Sequence, residues 1–102
     1  MSRKSLNEKI LLISVIGTLE ALKEEGMSLI EAEKYLFSPH TAQKLKEKKY
    51  NPSIISIIEK GCELEDIVSL LPQKYMDSIE KMKQEALMIL SEYESFEKNF
   101  WI

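Results

Sequence analysis

The stretch Asn51-Pro-Ser-Ile-Ile-Ser-Ile-Ile-Glu-Lys-Gly-Cys-Glu-Leu-Glu-Asp-Ile-Val-Ser-Leu-Leu71 decides the fold, because it holds two apolar helical patterns joined by one glycine. Asn51 suits an N-cap, where its side-chain oxygen accepts a backbone N–H. Pro52 suits the first helical position, where a missing N–H leaves no bond unmade. Ile54, Ile55, Ile57 and Ile58 then give this helix an apolar surface broad enough to be buried. Gly61 fits the left-handed residue that ends such a helix. From Glu63 a second helix starts, with Glu63, Glu65 and Asp66 near the positive end of its dipole and Leu64, Ile67, Val68, Leu70 and Leu71 facing inward. Pro72 closes it.

On the N-terminal side, Ser5 to Glu25 predicts the first helix, capped by Ser5 or Asn7 and stopped by Gly26. Leu6, Ile10, Ile13 and Ile16 on one face and Leu12, Val15, Leu19 and Leu22 on the next make most of its circumference apolar, which predicts a central helix. The run Ile10-Leu-Leu-Ile-Ser-Val-Ile16 also fits a strand, and the helical pattern that continues through Lys23 decides for helix. Ser28-Leu-Ile-Glu31 has the spacing of a capping box and predicts a helix from Leu29 to near Phe37, with Leu29, Ala32, Leu36 and, at the side, Tyr35 turned inward. Ser38-Pro39 repeats the cap-plus-proline signal for a short helix to Lys48, whose Ala42 and Leu45 face inward. On the C-terminal side, Tyr75, Ile79, Met82, Ala86, Leu90 and Tyr93 recur at threes and fours, which predicts one long helix from Gln73 to about Lys98. The aromatic end Phe96-Glu-Lys-Asn-Phe-Trp-Ile102 either folds back onto the core or anchors another chain. The expected architecture is all-α: one domain over residues 1–102, a compact bundle of about six helices with long first and last members.

A chain of 102 residues can bury a core without disulfides or metals. Its net charge of −3 is unevenly spread: up to Ile58 nine Lys or Arg face seven Asp or Glu, and from Glu59 onward five face ten. An acidic second half accepts a basic partner and disfavours non-specific phosphate binding; a solvated helix surface produces the same pattern. Cys62 is the only cysteine, which rules out an internal disulfide and makes the cytoplasm the expected compartment. Arg3 and Lys4 before the apolar run resemble the start of a signal peptide, but Ser14 interrupts the run and no small-residue cleavage site follows. The run also falls short of the roughly twenty apolar residues that span a bilayer, so a soluble protein is expected, with no membrane partner.

Catalytic chemistry would have to use His40 or Cys62, each the only residue of its kind. Cys62 precedes a helix N-terminus, which lowers a thiol pKa somewhat, yet a buried cysteine also serves as a small apolar filler and no base is positioned beside it. Glu63, Glu65 and Asp66 have no histidine or second cysteine at ligand spacing, so no metal is expected, and the helix dipole explains them without one. No glycine-rich loop follows a strand, and no cofactor is expected. Lys44, Lys46, Lys48 and Lys49 form a basic cluster with only Tyr50 beside it, too little aromatic and arginine content for a nucleic-acid surface. The residues therefore argue against an enzyme and against a nucleic-acid partner.

At Tyr35-Leu-Phe-Ser-Pro39 and again at Gly61-Cys-Glu-Leu-Glu-Asp66 the chain resembles a family of small bacterial helical proteins, a domain of unknown function, from the first helix to about Leu90. Small, acidic-leaning helical proteins of this sort are often immunity proteins that neutralise a toxin, and this is what the resemblance implies; it assigns no binding residue. The expected function is a non-catalytic binding module that covers a basic toxin domain, possessing a basic groove if it is a nuclease. Glu63, Glu65 and Asp66 would supply opposed charge, and Tyr93, Phe96 and Trp101 aromatic contacts. The competing expectation is a regulatory or adaptor module that self-associates or binds a partner helix through its aromatic end.

Overall fold

Side-chain caps start the first four helices of this computed structural model, which describes residues 1–101. Helix α1 (Arg3–Lys23) begins at Ser2, whose hydroxyl oxygen accepts the Ser5 N–H at 3.1 Å, so the cap lies upstream of Ser5 and Asn7. Ser28 caps α2 (Leu29–Tyr35) and Ser38 caps α3 (Pro39–Glu47) in the same way. Asn51 caps α4 (Pro52–Cys62), its Oδ1 accepting from the Ser53 N–H at 2.9 Å. Helix α5 (Leu64–Leu70) follows without a side-chain cap, and a 3₁₀ turn (Pro72–Lys74) leads into α6 (Tyr75–Leu90). Six α-helices, four of them nine residues or longer, and no strand make up the described residues. The fold is all-α, with the first and last helices the longest.

Helices α1 and α6 run antiparallel along each other and form the frame. Near one end Lys83 bridges Glu20 of α1 (2.9 Å) and Glu80 of its own helix (3.2 Å). Hydrogen bonds to Glu20 and then Glu80 hold the Lys83 ammonium in its charged form. At the other end the Lys9 ammonium donates to the Glu94 carbonyl. Between them Leu12, Val15 and Leu19 meet Ile79, Met82 and Ala86, and Ile54, Ile57, Ile58 and Leu64 complete one continuous core with Ala32, Leu36, Phe37, Ala42 and Leu45.

Four local expectations are corrected. Gly61 is not left-handed; it lies inside α4, buried, where a Cβ would stand 2.3 Å from Phe37 Cδ1 and 2.5 Å from Cγ. The glycine is there to let the Phe37 ring lie on the helix backbone. The residues that do turn left-handed are Glu25 (φ 62°) and Lys49 (φ 58°). Each ends a helix in the same way: the next residue, Gly26 or Tyr50, donates its N–H back to the carbonyl of Ala21 or Leu45. Helix α6 stops at Leu90 rather than near Lys98, because the Ser91 hydroxyl takes the Met88 carbonyl at 2.6 Å and the Glu92 N–H turns to Ile89 instead. Finally, Val68, Leu70 and Leu71 are exposed, as is Tyr35; of the inward set on α5 only Leu64 is fully buried and Ile67 half-buried.

Candidate functional site

Helix α5 is two turns long, and its seven residues divide by chemistry along its length. Leu64 fixes it to the core at 0 % exposure, and the Ile67 N–H bonds back to the Glu63 carbonyl. Glu63, Glu65 and Asp66 are all exposed at its start, where the acids oppose the positive end of the helix dipole. Val68, Leu70 and Leu71 follow in the next turn, and Leu70 has 76 % of its surface in solvent. Met76, at the start of α6, is also exposed. One short segment thus presents carboxylates and then aliphatic side chains to solvent.

A fourth carboxylate joins from α2. Partial burial pushes the Glu33 carboxyl above its usual range, and the Glu65 carboxylate adds to this by repelling its charge and by hydrogen bonding to its protonated form. Sequence spacing offers no sign of this pair, which lies 32 residues apart and exists only because α2 and α5 are neighbours. Cys62 borders the same acidic surface. Burial raises its thiol pKa, with the charges of Glu59, Glu33 and Glu63 adding to the effect, and the thiol donates to the Ile58 carbonyl at 3.3 Å. The expected lowering by the helix N-terminus is outweighed, and the thiolate is disfavoured.

The aromatic residues expected to share the acidic surface are elsewhere. Tyr93 is half-buried in a polar network: its hydroxyl donates to Glu8 Oε1 (3.0 Å) and accepts from Asn51 Nδ2 (3.2 Å). Glu8 Oε2 takes the Asn51 N–H at 2.6 Å, so a buried carboxylate joins α1, the cap of α4 and the segment after α6. Burial raises the Tyr93 pKa, and the Glu8 carboxylate also raises it. Beside the start of α1 the Phe100 ring meets Phe96 at a tilt (centroids 5.6 Å) and Trp101 edge to face (5.1 Å), and Lys9 lies 4.2 Å over the Phe96 ring. A shallow pocket of about 260 Å³ under this tail is lined by Met1, Leu6, Phe96 and Phe100. The tail does fold back on the molecule, yet Trp101 keeps 89 % of its surface exposed, and Ile102 lies outside the described residues. Glu63 lines a surface groove with Lys81 and Glu85 of α6, whereas the tail follows the end of that helix and lies beside the start of α1. The structure brings Glu65 to Glu33, and it does not bring the acidic start of α5 to Tyr93, Phe96 or Trp101.

Among the described residues, no group of three or more His, Cys, Asp or Glu side chains is arranged to hold a metal ion, and no helix is long and apolar enough to cross a membrane. His40 is exposed in the first turn of α3, and Lys46 pairs with Glu59 at 2.9 Å, so part of the lysine cluster is spent on intramolecular charge.

No curated protein and no solved structure matches the chain. A family model described as "Protein of unknown function (DUF3969)" matches residues 2–102, and the chain belongs to that family.

Proposed function

We propose that this protein is a non-catalytic, cytoplasmic binding module of the immunity type, which neutralises a basic bacterial toxin domain by covering it with α5 and the adjoining edge of α2. The observation that carries the reading is the sequence of chemistry on α5: Glu65, crowded by Glu33, and Asp66 stand beside exposed Val68, Leu70 and Leu71. Protein interfaces combine an apolar centre with a charged rim, and opposed charge raises the association rate. The Glu33–Glu65 repulsion adds a second effect, because a lysine or arginine delivered by the partner relieves it. The reading keeps the acidic residues of the sequence expectation and replaces the aromatic contacts by the aliphatic ones of α5.

Co-expression tests it. A toxin domain encoded beside this gene is expressed with the wild type or with the Glu65→Lys, Asp66→Lys double variant. The reading expects cells to survive, and the two proteins to co-purify, only with the wild type. Survival without complex formation, or equal protection by the charge-reversed protein, argues against it.

A second reading, an adaptor that binds a partner helix through its aromatic end, is favoured by one observation, the exposed aromatic cluster of Phe96, Phe100 and Trp101. Deleting residues 100–102 separates the two: it abolishes binding by an adaptor and leaves toxin neutralisation intact.

A further inference from the structure

Ten consecutive residues of α1, Ile10 to Leu19, carry no charge, and a helix apolar on all sides is normally enclosed on all sides. Here it is enclosed on one. Leu12, Val15 and Leu19 face the core, while on the opposite side Ile13 is 45 % exposed, Gly17 is exposed, and Ile10 and Ala21, one turn before and one turn after them, are half-buried. Gly17 sharpens the point. A glycine in a helix interior destabilises it, and nothing in this molecule requires one there, since a Cβ built on Gly17 meets no atom within 4 Å. The other helical glycine, Gly61, has its reason inside the molecule, in the ring of Phe37.

The turns that flank this face along the helix axis carry opposite charges: Arg3 and Lys4 before it, Glu24 and Glu25 after it, all exposed and without an ion pair among the described residues. A face of this kind is complementary to itself when turned end over end. Setting Ile13 of one copy against Gly17 of the other brings Arg3 and Lys4 within a turn of Glu24 and Glu25 on both sides of a two-fold axis, the condition of an isologous interface. A parallel arrangement would set like charges together instead. We propose that the outer face of α1 is a homodimer interface, formed by antiparallel contact with α1 of a second copy, with Gly17 letting the two backbones approach. The surface offered is one face of a single helix about 31 Å long, less than the roughly 800 Å² per partner of a standard interface, so a weak, concentration-dependent association is expected. The proposal is independent of the toxin reading, because it uses neither α5 nor the aromatic tail.

Sedimentation velocity on the full chain, over about 1 to 500 µM, reads the outcome. The wild type should pass from monomer to dimer, and Ile13→Lys and Gly17→Gln should each weaken the dimer about tenfold or more with an unchanged helical spectrum. Arg3→Glu with Lys4→Glu should also weaken it, and adding Glu24→Lys with Glu25→Lys should restore it. Gly17→Ala keeps the test independent of folding defects: at monomeric concentration its melting temperature should rise by about 4 °C while dimerisation weakens. A chain that stays monomeric throughout overturns the proposal and leaves the face to solvent or another protein. A dimer insensitive to Ile13→Lys and Gly17→Gln also overturns it and points to the aromatic tail.

Discussion

Gly61→Ala introduces one methyl group where the Phe37 ring lies against the backbone of α4. The added carbon would stand 2.3, 2.5 and 2.8 Å from Phe37 Cδ1, Cγ and Cε1, where carbon atoms rest at about 3.5–4.0 Å. The ring must therefore retreat by more than about 1 Å, and Phe37, at 1 % exposure, can retreat only by displacing its neighbours in the close-packed core. Overpacking of this kind costs about 1–3 kcal/mol, against which alanine recovers about 0.5–1 kcal/mol of helix stability, so a net loss of about 1–2 kcal/mol is expected. Urea denaturation of four proteins, the wild type, Gly61→Ala, Phe37→Leu and the double variant, isolates the contact. Phe37→Leu alone should cost about 1–2 kcal/mol, and in its presence Gly61→Ala should become neutral or stabilising, a coupling of more than about 1 kcal/mol. A Gly61→Ala protein as stable as the wild type, or losses that simply add, would refute the reasoning. The contact joins Tyr35-Leu-Phe-Ser-Pro39 to Gly61-Cys-Glu-Leu-Glu-Asp66, the two segments on which the family resemblance rests.

Three further expectations follow from local geometry. Glu25→Gly should stabilise the fold by about 0.5 kcal/mol, since φ there is 62° and the relief of strain exceeds the added chain entropy; chemical denaturation reads it. Glu33→Gln should stabilise the protein at neutral pH by a few tenths of a kcal/mol, a value already reduced for solvent screening, and have no effect in acid. The sign follows from linkage: the Glu33 pKa is raised in the folded state, so its contribution is fully present below the ordinary value of 4.5 and is lost as pH rises through the folded value. Stability curves of the two proteins should therefore coincide near pH 3.5 and separate above it, and curves that separate only in acid would contradict the pairing with Glu65. Tyr93→Phe removes a donor from buried Glu8 and an acceptor from Asn51, and should cost about 1–3 kcal/mol in thermal or urea unfolding; an unchanged midpoint would return Tyr93 to the set of surface contacts.

The parts of the fold that were legible are those written in neighbouring residues. Ser28, Ser38 and Asn51 cap their helices as expected because a cap is a bond between residues two or three apart. Gly61 is ambiguous in the sequence because glycine serves both left-handed turns and close approaches, and only the position of Phe37, 24 residues away, separates the two uses. The end of α6 is hidden in the sequence for a related reason: Ile89, Leu90 and Tyr93 continue the helical period, but the Ser91 hydroxyl and the Glu8 carboxylate redirect the chain. On α5 the acids were legible and the leucines were not, since two helical turns contain too few residues for periodicity to tell the inner face from the outer. Glu33 left no local trace at all, because its meaning depends on where α2 lies against α5.

The central claim, that the acidic and aliphatic surface of α5 captures a basic partner, is tested most directly by association kinetics. The toxin domain identified by co-expression is bound to the wild type and to Glu65→Lys, Asp66→Lys at two ionic strengths, with the helical spectrum checked for both. Opposed charge acts on the encounter, so reversal should slow association on the order of tenfold at low salt and flatten its dependence on salt. Equal association rates at both ionic strengths, in a variant that remains folded, would contradict it.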